Sequence, residues 1–300
     1  MISVFESIGK NVEEATDVSD VLKLAGLDFK VNSENCYYMY NGQPELVPGV
    51  LANVREDTGE ILGVVSNRYR ILQNEDAFDF VNYIFDDIKF KKAGMTYNGM
   101  IYIIAEMEPK KCLGEDYRNY VVFRNSHNGK YPLQATISPM RVACENQFNS
   151  IFRKADNNVY IKHLSGFESK LKMAKQVLKG YAQTVSELEN RLNKYVMTPF
   201  TQEQFSMFVD YVFPITDEMS EIVADKQDEK RYVLNYAYKY DDNQNYRGTL
   251  LGALNATTYY DSHAIEFFGR RTNIIDKSFI QILDEVQLTN RLLEYAVHWY

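Results

Sequence analysis

The stretch LKMAKQVLKGYAQTVSELENRLNKY, residues 171–195, decides how the fold is divided. Its apolar residues recur at alternating steps of three and four, which predicts one long helix with a continuous heptad seam. The seam consists of Leu171, Ala174, Leu178, Tyr181, Val185, Leu188, Leu192 and Tyr195. The default for such a seam is packing against a later helix of the same chain, and the alternative is that it joins copies into the homo-oligomer that we expect for this protein.

Helical signals continue after Pro199, which ends the long helix. Thr201 and Gln204 have the spacing of a capping box, and the helix that they open is ended by Pro214. Further helices are predicted around residues 229–240, 249–260 and 278–299, with a loop over residues 241–245. The sequence is therefore helical from about residue 166 onward.

The sequence before the long helix is typical of strands and tight turns. The strongest hairpin signal is Asn41-Gly42, and further turns are predicted at Asp57-Thr58-Gly59, Asn98-Gly99 and Asn128-Gly129. Two short helices interrupt the strands. They are a helix capped by Ser19 and ended by Gly26, and a helix capped by Asn74 that runs over residues 76–85 with Phe78, Val81 and Phe85 facing the core.

These patterns predict an α+β fold. Its N-terminal half is rich in antiparallel or mixed sheet, and its C-terminal half is helical. The predicted regions are residues 1–165 and 166–300, with one continuous domain as the alternative.

Composition excludes several classes of protein. The chain has 300 residues, 45% of them hydrophobic, which is enough for a large core. It has no apolar run long enough to cross a membrane and no export signal. Cys36, Cys112 and Cys144 lie far apart without a Cys-x-x-Cys pair, which argues against a disulfide framework and a zinc site. We expect a cytoplasmic protein without a metal or a cofactor.

The familiar catalytic motifs of ATPases, dehydrogenases, zinc proteases and α/β-hydrolases are absent from the sequence. An enzyme that uses His127 with Cys144 or with carboxylates is a third possibility, but the sequence shows no characteristic spacing of a nucleophile and a base. An inert buried thiol is the expectation for Cys144. We therefore predict a protein without enzymatic activity.

Three polar clusters stand out in the first half. They are the segment from Arg55 through Arg68-Tyr69 to Gln73-Asn74, the segment Asn125-Ser126-His127-Asn128-Gly129, and the segment Ser138-Pro139-Met140-Arg141-Val142-Ala143-Cys144-Glu145-Asn146. In this order they resemble the family known as domain of unknown function 932, although Asn128 replaces an acid of the family's turn. The resemblance covers residues 20 to 265 approximately. It implies a phage- or plasmid-like accessory protein in a bacterial host cell, in the company of annealing and single-strand-binding proteins.

A basic segment follows the third cluster. Between residues 153 and 179 seven cations stand against two acids, with aromatic residues between them. Cations can follow a phosphate backbone while rings stack on bases, as in sequence-tolerant single-strand binding. The alternative is that the lysines of the long helix are its solvated face. Because the net charge is −8, any contact with nucleic acid must come from a local patch.

We therefore predict a protein that binds single-stranded DNA or RNA and assists annealing or recombination. The predicted binding residues are Arg55, Arg68, Tyr69, Gln73, Asn74, Asn125, His127, Arg141, Asn146, Phe152, Arg153, Lys154, Tyr160, Lys162 and His163. Arg55 and Arg68 could instead pair with nearby carboxylates, and the segment 125–129 could be a plain turn. The alternative function is a phage or plasmid interaction protein that binds a host defence or replication protein through its acidic, tyrosine-rich surface.

Overall fold

The predicted division into a sheet-rich first half and a helical second half is confirmed by the computed structural model. The structure describes residues 7–84, 88–141, 146–147, 158–160, 166–239, 241–263 and 288–297. Within these residues all strands pair antiparallel, in a three-stranded and a seven-stranded sheet. The long helix packs against both the larger sheet and the helical half.

The smaller sheet is built from two consecutive hairpins. Its strands are β2 (Val31–Tyr40), β3 (Gln43–Arg55) and β4 (Ile61–Ser66), in that order. The predicted turn at Asn41-Gly42 is confirmed, with φ of 48° and 79° at the two residues, as a type I′ turn requires. A bulge in β3 follows, since Asn35 pairs with Leu51 but Tyr37 with Leu46.

The larger sheet has the strand order β1-β5-β6-β7-β8-β10, with β9 on β8. The strands are β1 (Lys10–Asn11), β5 (Lys89–Met95), β6 (Met100–Cys112), β7 (Glu115–Ser126), β8 (Gln134–Arg141), β9 (Asn146–Gln147) and β10 (Asn158–Tyr160). The turns predicted at Asn98-Gly99 and Asn128-Gly129 connect β5 to β6 and β7 to β8. Tight turns between strands that are neighbours in sequence explain why the sheet is antiparallel.

Helices cover one face of the larger sheet. They are α1 (Val18–Ala25), α2 (Asn74–Phe78) with the 3₁₀ helix Asp79–Tyr83, and the long α3 (Phe167–Met197). Phe78, Val81, Ile103, Phe123 and Val177 are all buried in the cluster between these helices and the sheet. The predicted inward positions of Phe78 and Val81 are confirmed, while Phe85 lies outside the described residues.

Two predicted helix caps are wrong. Asp17 caps α1 in place of Ser19, because its carboxylate accepts a hydrogen bond from the Asp20 amide, although Gly26 ends the helix as expected. Asn74 is the first residue of α2 and does not cap it. Its side chain is buried and donates to the carbonyl of Leu27, so a tertiary contact replaces the local one.

The seam of α3 packs inside the chain. Ala174 contributes to the cluster on the sheet, and Leu188 and Leu192 pack against Leu251 and Tyr117. Packing within the chain therefore explains the heptad pattern. Self-association stays a prediction, and the heptad pattern is no longer a reason for it.

The helical half continues with α4 (Gln202–Val212), α5 (Glu221–Lys239), α6 (Leu250–Ser262) and α7 (Leu288–Ala296). The capping box of Thr201 and Gln204 is confirmed. The loop predicted at residues 241–245 is instead the 3₁₀ helix Asp241–Tyr246, because buried Asn243 donates to the carbonyls of Tyr238 and Gly252. Among the described helices, none is both long and apolar enough to cross a membrane.

The two sheets touch where β4 meets the turn after β7. A Cβ atom on Gly63 would lie 2.5 Å from Cβ and 2.7 Å from Cα of Asn128. Such distances are too short for real contacts, so only glycine permits this approach.

We expect Gly63→Ala to lower the free energy of unfolding by about 1 to 3 kcal/mol, since overpacking at a backbone contact forces a shift of the turn. The measurement is chemical denaturation. Val64→Ala on the same strand is the control, because Val64 is exposed and its loss should cost less than about 0.5 kcal/mol. Equal stability of the two variants would contradict the close docking of the sheets.

Candidate functional site

The first two polar clusters of the sequence meet around His127, which is only 2% exposed. Its Nε2 lies 2.9 Å from Oδ1 of Asn74, and the Asn74 amide donates to the carbonyl of Leu27. The amide of Asn53 donates to the carbonyl of His127 at 2.6 Å. One buried imidazole and two buried amides therefore tie three distant segments together.

Two more predicted residues extend this buried network. The side chain of Gln73 accepts from the amide and donates to the carbonyl of Val31, at 3.1 and 2.8 Å. The hydroxyl of half-buried Tyr69 donates to the carbonyl of Ser126 at 2.9 Å. Tyr69 therefore positions the turn between β7 and β8, and Gln73 positions the start of β2.

The electronic state of His127 follows from its burial. Desolvation lowers the pKa of its imidazole to about 4, so the ring is neutral near pH 7. Because Oδ1 of Asn74 accepts, the proton of the neutral ring lies on Nε2. Nδ1 of His127 and Nδ2 of Asn125 are buried and have no hydrogen-bond partner among the described residues. A general base paired with Cys144 is not described, since Cys144 lies outside the described residues.

Arg55 pairs with a nearby carboxylate, which was the alternative to phosphate binding. Its guanidinium donates to both carboxylate oxygens of Asp57, at 3.0 and 2.7 Å, and lies 3.9 Å from the centroid of the Phe29 ring. The hydrogen bond with Asp57 raises the pKa of Arg55, and the same bond lowers the pKa of Asp57. Because the guanidinium of Arg55 already has a carboxylate partner within the chain, it is poorly suited to bind a phosphate.

A cleft of 370 Å³ opens on the outer side of the same turns. It lies between β4 and the turn before β6, and its polar lining includes Tyr97, Asn98, Asn128 and Lys130. The Asn128 amide donates to the carbonyl of Asn98 at 2.8 Å, which fixes one turn against the other. From the sequence, Asn98 and Asn128 were predicted only as turn residues. Tyr97 and Lys130 were not predicted as site residues, because no local sequence pattern distinguishes a single tyrosine or lysine at a binding site from any other.

One exposed cation, Lys130, lines this cleft together with Glu60, and two more, Arg68 and Arg70, lie on the segment that follows β4. Arg68 and Arg70 flank Tyr69, which is bonded to Ser126, and Lys130 follows the same turn. Within the described part of the chain none of the three makes an ion pair. We call Arg68, Arg70, Tyr97, Asn98, Asn128 and Lys130 the turn cluster.

A second group of cations lies on α3. Lys172, Lys175 and Lys179 are exposed on its solvated face, whereas Lys170 pairs with Asp79. We call these three exposed residues the lysine stripe. The helix runs along β6, since Tyr181 bonds to the Glu108 carbonyl and Lys110 to the Val185 carbonyl. Because a helix rises about 1.5 Å per residue and a strand about 3.3 Å, the stripe lies beside the middle of β6.

The other predicted binding residues are only partly described. Tyr160 is exposed on β10, with 51% of its surface accessible. Arg141 and Asn146 are backbone partners of each other on β8 and β9. Five predicted residues lie outside the described residues, namely Phe152, Arg153, Lys154, Lys162 and His163.

Comparison with known proteins places the polar clusters in a family. The family model described as "Domain of unknown function (DUF932)" matches residues 61–281, well over half of the 300-residue chain. No curated protein matches the chain, and no solved structure matches it either.

The buried imidazole predicts a pH dependence of stability. Since the pKa of His127 is about 4 when folded and ordinary when unfolded, the unfolded chain binds more protons below about pH 6.5. Stability is therefore full above that pH and falls as the pH drops toward 4. Relative to His127→Gln, the wild type should lose about 2 kcal/mol of unfolding free energy between pH 7.5 and 5, measured by denaturant titration.

This comparison has an internal control. Burial raises the pKa of Asp261 to about 6, which makes its contribution opposite in sign over the same range. Asp261 is present in both proteins, so its effect cancels in the difference. A difference between the two proteins that does not change with pH would contradict a buried neutral His127.

Proposed function

The chain belongs to the family described as domain of unknown function 932, and we propose that it binds single-stranded nucleic acid through the turn cluster. The observation that carries the proposal is a set of three exposed cations on two segments that are bonded to each other. Lys130 lines the cleft, and Arg68 and Arg70 flank Tyr69, whose hydroxyl donates to the carbonyl of Ser126. Within the described residues these cations have no carboxylate partner.

Unpaired cations on one surface suit a phosphate backbone. Each phosphate contact releases counterions, which gives affinity without any sequence requirement. The rest of this chain is acidic, with a net charge of −8, so repulsion disfavours other binding modes and directs a polyanion to the local patch.

The cleft adds groups that can contact bases. Tyr97 has 64% of its surface exposed, and aromatic rings of this kind stack on bases of any sequence. Asn98 and Asn128 line the same cleft and supply amide dipoles. Stacking needs bases that are already unstacked, which favours single strands over duplex.

The lysine stripe would extend this surface. It lies on the helix that runs along β6, so a strand bound at the turn cluster, at the start of β6, would continue toward Lys172, Lys175 and Lys179. Exposed Tyr160 lies on β10 and adds a ring whose exposure suits stacking.

The buried predicted residues have a different role in this proposal. Asn74 and His127 do not face the ligand but bond to each other and fix the turn that carries Lys130, whereas Gln73 holds Val31 at the start of β2. We assign them as positioning residues. Their replacement should weaken binding only to the extent that the turns lose their structure.

The test is fluorescence anisotropy with labelled single-stranded and double-stranded oligonucleotides across a salt series. The variant Arg68→Ala/Arg70→Ala/Lys130→Ala should lose affinity for the single strand. The slope of log affinity against log salt should fall by about 2 in magnitude, since single strands contribute about 0.7 per phosphate contact.

The control variant removes the same charge elsewhere. Lys23, Lys194 and Lys226 are exposed cations outside both the turn cluster and the lysine stripe, and their replacement with alanine should leave the slope unchanged. If the wild type binds no oligonucleotide even at low salt, nucleic-acid binding is excluded. If both triple variants lose affinity equally, the turn cluster is not the site.

A further inference from the structure

The hairpin of β2 and β3 exposes large apolar side chains on both of its faces. Tyr37, Tyr38, Met39, Tyr40 and Leu46 are each between 50% and 68% exposed. Residues 31–54 contain two glutamates and no lysine or arginine, so this surface does not suit a phosphate backbone. An exposed apolar surface of this kind is typical of a protein interface.

One edge of the hairpin is open along most of its length. Within the described residues, β2 pairs only with β3, and Gln73 occupies the other edge at Val31 alone. Because backbone groups alternate in direction along a strand, those of Ser33, Asn35, Tyr37 and Met39 face the same side as those of Val31. The open stretch is residues 32–40.

Apart from the bulge of β3 opposite Cys36, this edge lacks the features that protect natural edge strands. Between residues 31 and 40 there is no proline, no lysine and only one charged residue, Glu34. An edge of ten residues without such features is a template for pairing with another strand.

We propose that β2 pairs antiparallel with β2 of a second copy of this chain, around a two-fold axis at Cys36. This pairing joins the three strands of each copy into one continuous sheet. Cys36 is the central residue of the open stretch 32–40, so this register pairs the largest number of open backbone groups.

The register is also compatible in charge. Glu34 lies opposite Tyr38 of the second copy, and Asn35 lies opposite Tyr37, so no like charges face each other. A two-fold interface must be self-complementary. This strand meets that condition, because its single charged residue lies away from the axis and does not face its own copy.

The apolar side chains beside the edge add to the backbone hydrogen bonds. In the proposed register Tyr37 and Tyr38 of each copy lie opposite Asn35 and Glu34 of the other, so that cross-strand contacts cover part of their exposed rings. The interface is independent of the turn cluster, so it does not rest on nucleic-acid binding.

Cys36 provides a direct probe of the register. Its thiol is free and half-buried, and Cα atoms that face each other in this kind of pair are about 4.5 Å apart. A short bis-maleimide should therefore link two chains of the wild-type protein into a covalent dimer, seen on a denaturing gel. The linked dimer should be absent from Cys36→Ser, which controls for reaction at Cys112 and Cys144.

A matched pair of variants tests the strand edge. Asn35→Pro removes one outward N–H without touching the pairing with β3, whereas Asn35→Ala keeps that N–H. Light scattering after size exclusion should give twice the chain mass for the wild type and Asn35→Ala, and the chain mass for Asn35→Pro. Circular dichroism checks that both variants are folded.

Three outcomes overturn the proposal. One is a wild-type protein that stays monomeric at every concentration. This outcome overturns the proposal even if the hairpin binds a different protein. Another is a dimer that persists in Asn35→Pro, because the copies then associate through another surface. The third is a wild-type dimer that gives no linkage through Cys36, because the register is then different.

Discussion

The docking of the small sheet onto the large one depends on a few buried polar hydrogen bonds. Asn53 and Asn74 reach from β3 and α2 to His127, and each amide also bonds a second segment. A buried amide without partners is costly, so these bonds are satisfied only when all segments are in register. The same condition fixes the turn that carries Asn128 and Lys130. The outer cleft therefore exists because the inner network does.

Local signals predicted the parts of the fold that local interactions determine. The turn at Asn41-Gly42 and the capping box of Thr201 and Gln204 were predicted correctly, because the backbone angles or the side chains of a few neighbouring residues are sufficient. Asn74 and residues 241–245 were misassigned for the opposite reason. At both places a buried side-chain amide bonds to a carbonyl that is distant in sequence or on another helix. A short stretch of sequence does not reveal such a partner.

The candidate site was harder to predict than the fold. Asparagine, glutamine and histidine are used both for buried networks and for ligand contacts, and the sequence does not distinguish the two uses. His127 and Arg68 were selected with equal reason, yet one is buried and the other exposed. Arg55 and Arg68 differ because Asp57 is within reach of one guanidinium. Tyr97 and Lys130 join the site only through tertiary contacts between turns.

The two surfaces singled out by the structure differ in chemistry, and this difference lets them work together. The turn cluster is cationic and polar, while the open edge of β2 is apolar and carries a single glutamate. A dimer formed through β2 would display two turn clusters at a fixed separation. Binding of one strand at both clusters would make the second contact intramolecular, which raises avidity without any new contact. A weak cationic patch on an acidic protein could then hold a strand that one copy alone would release.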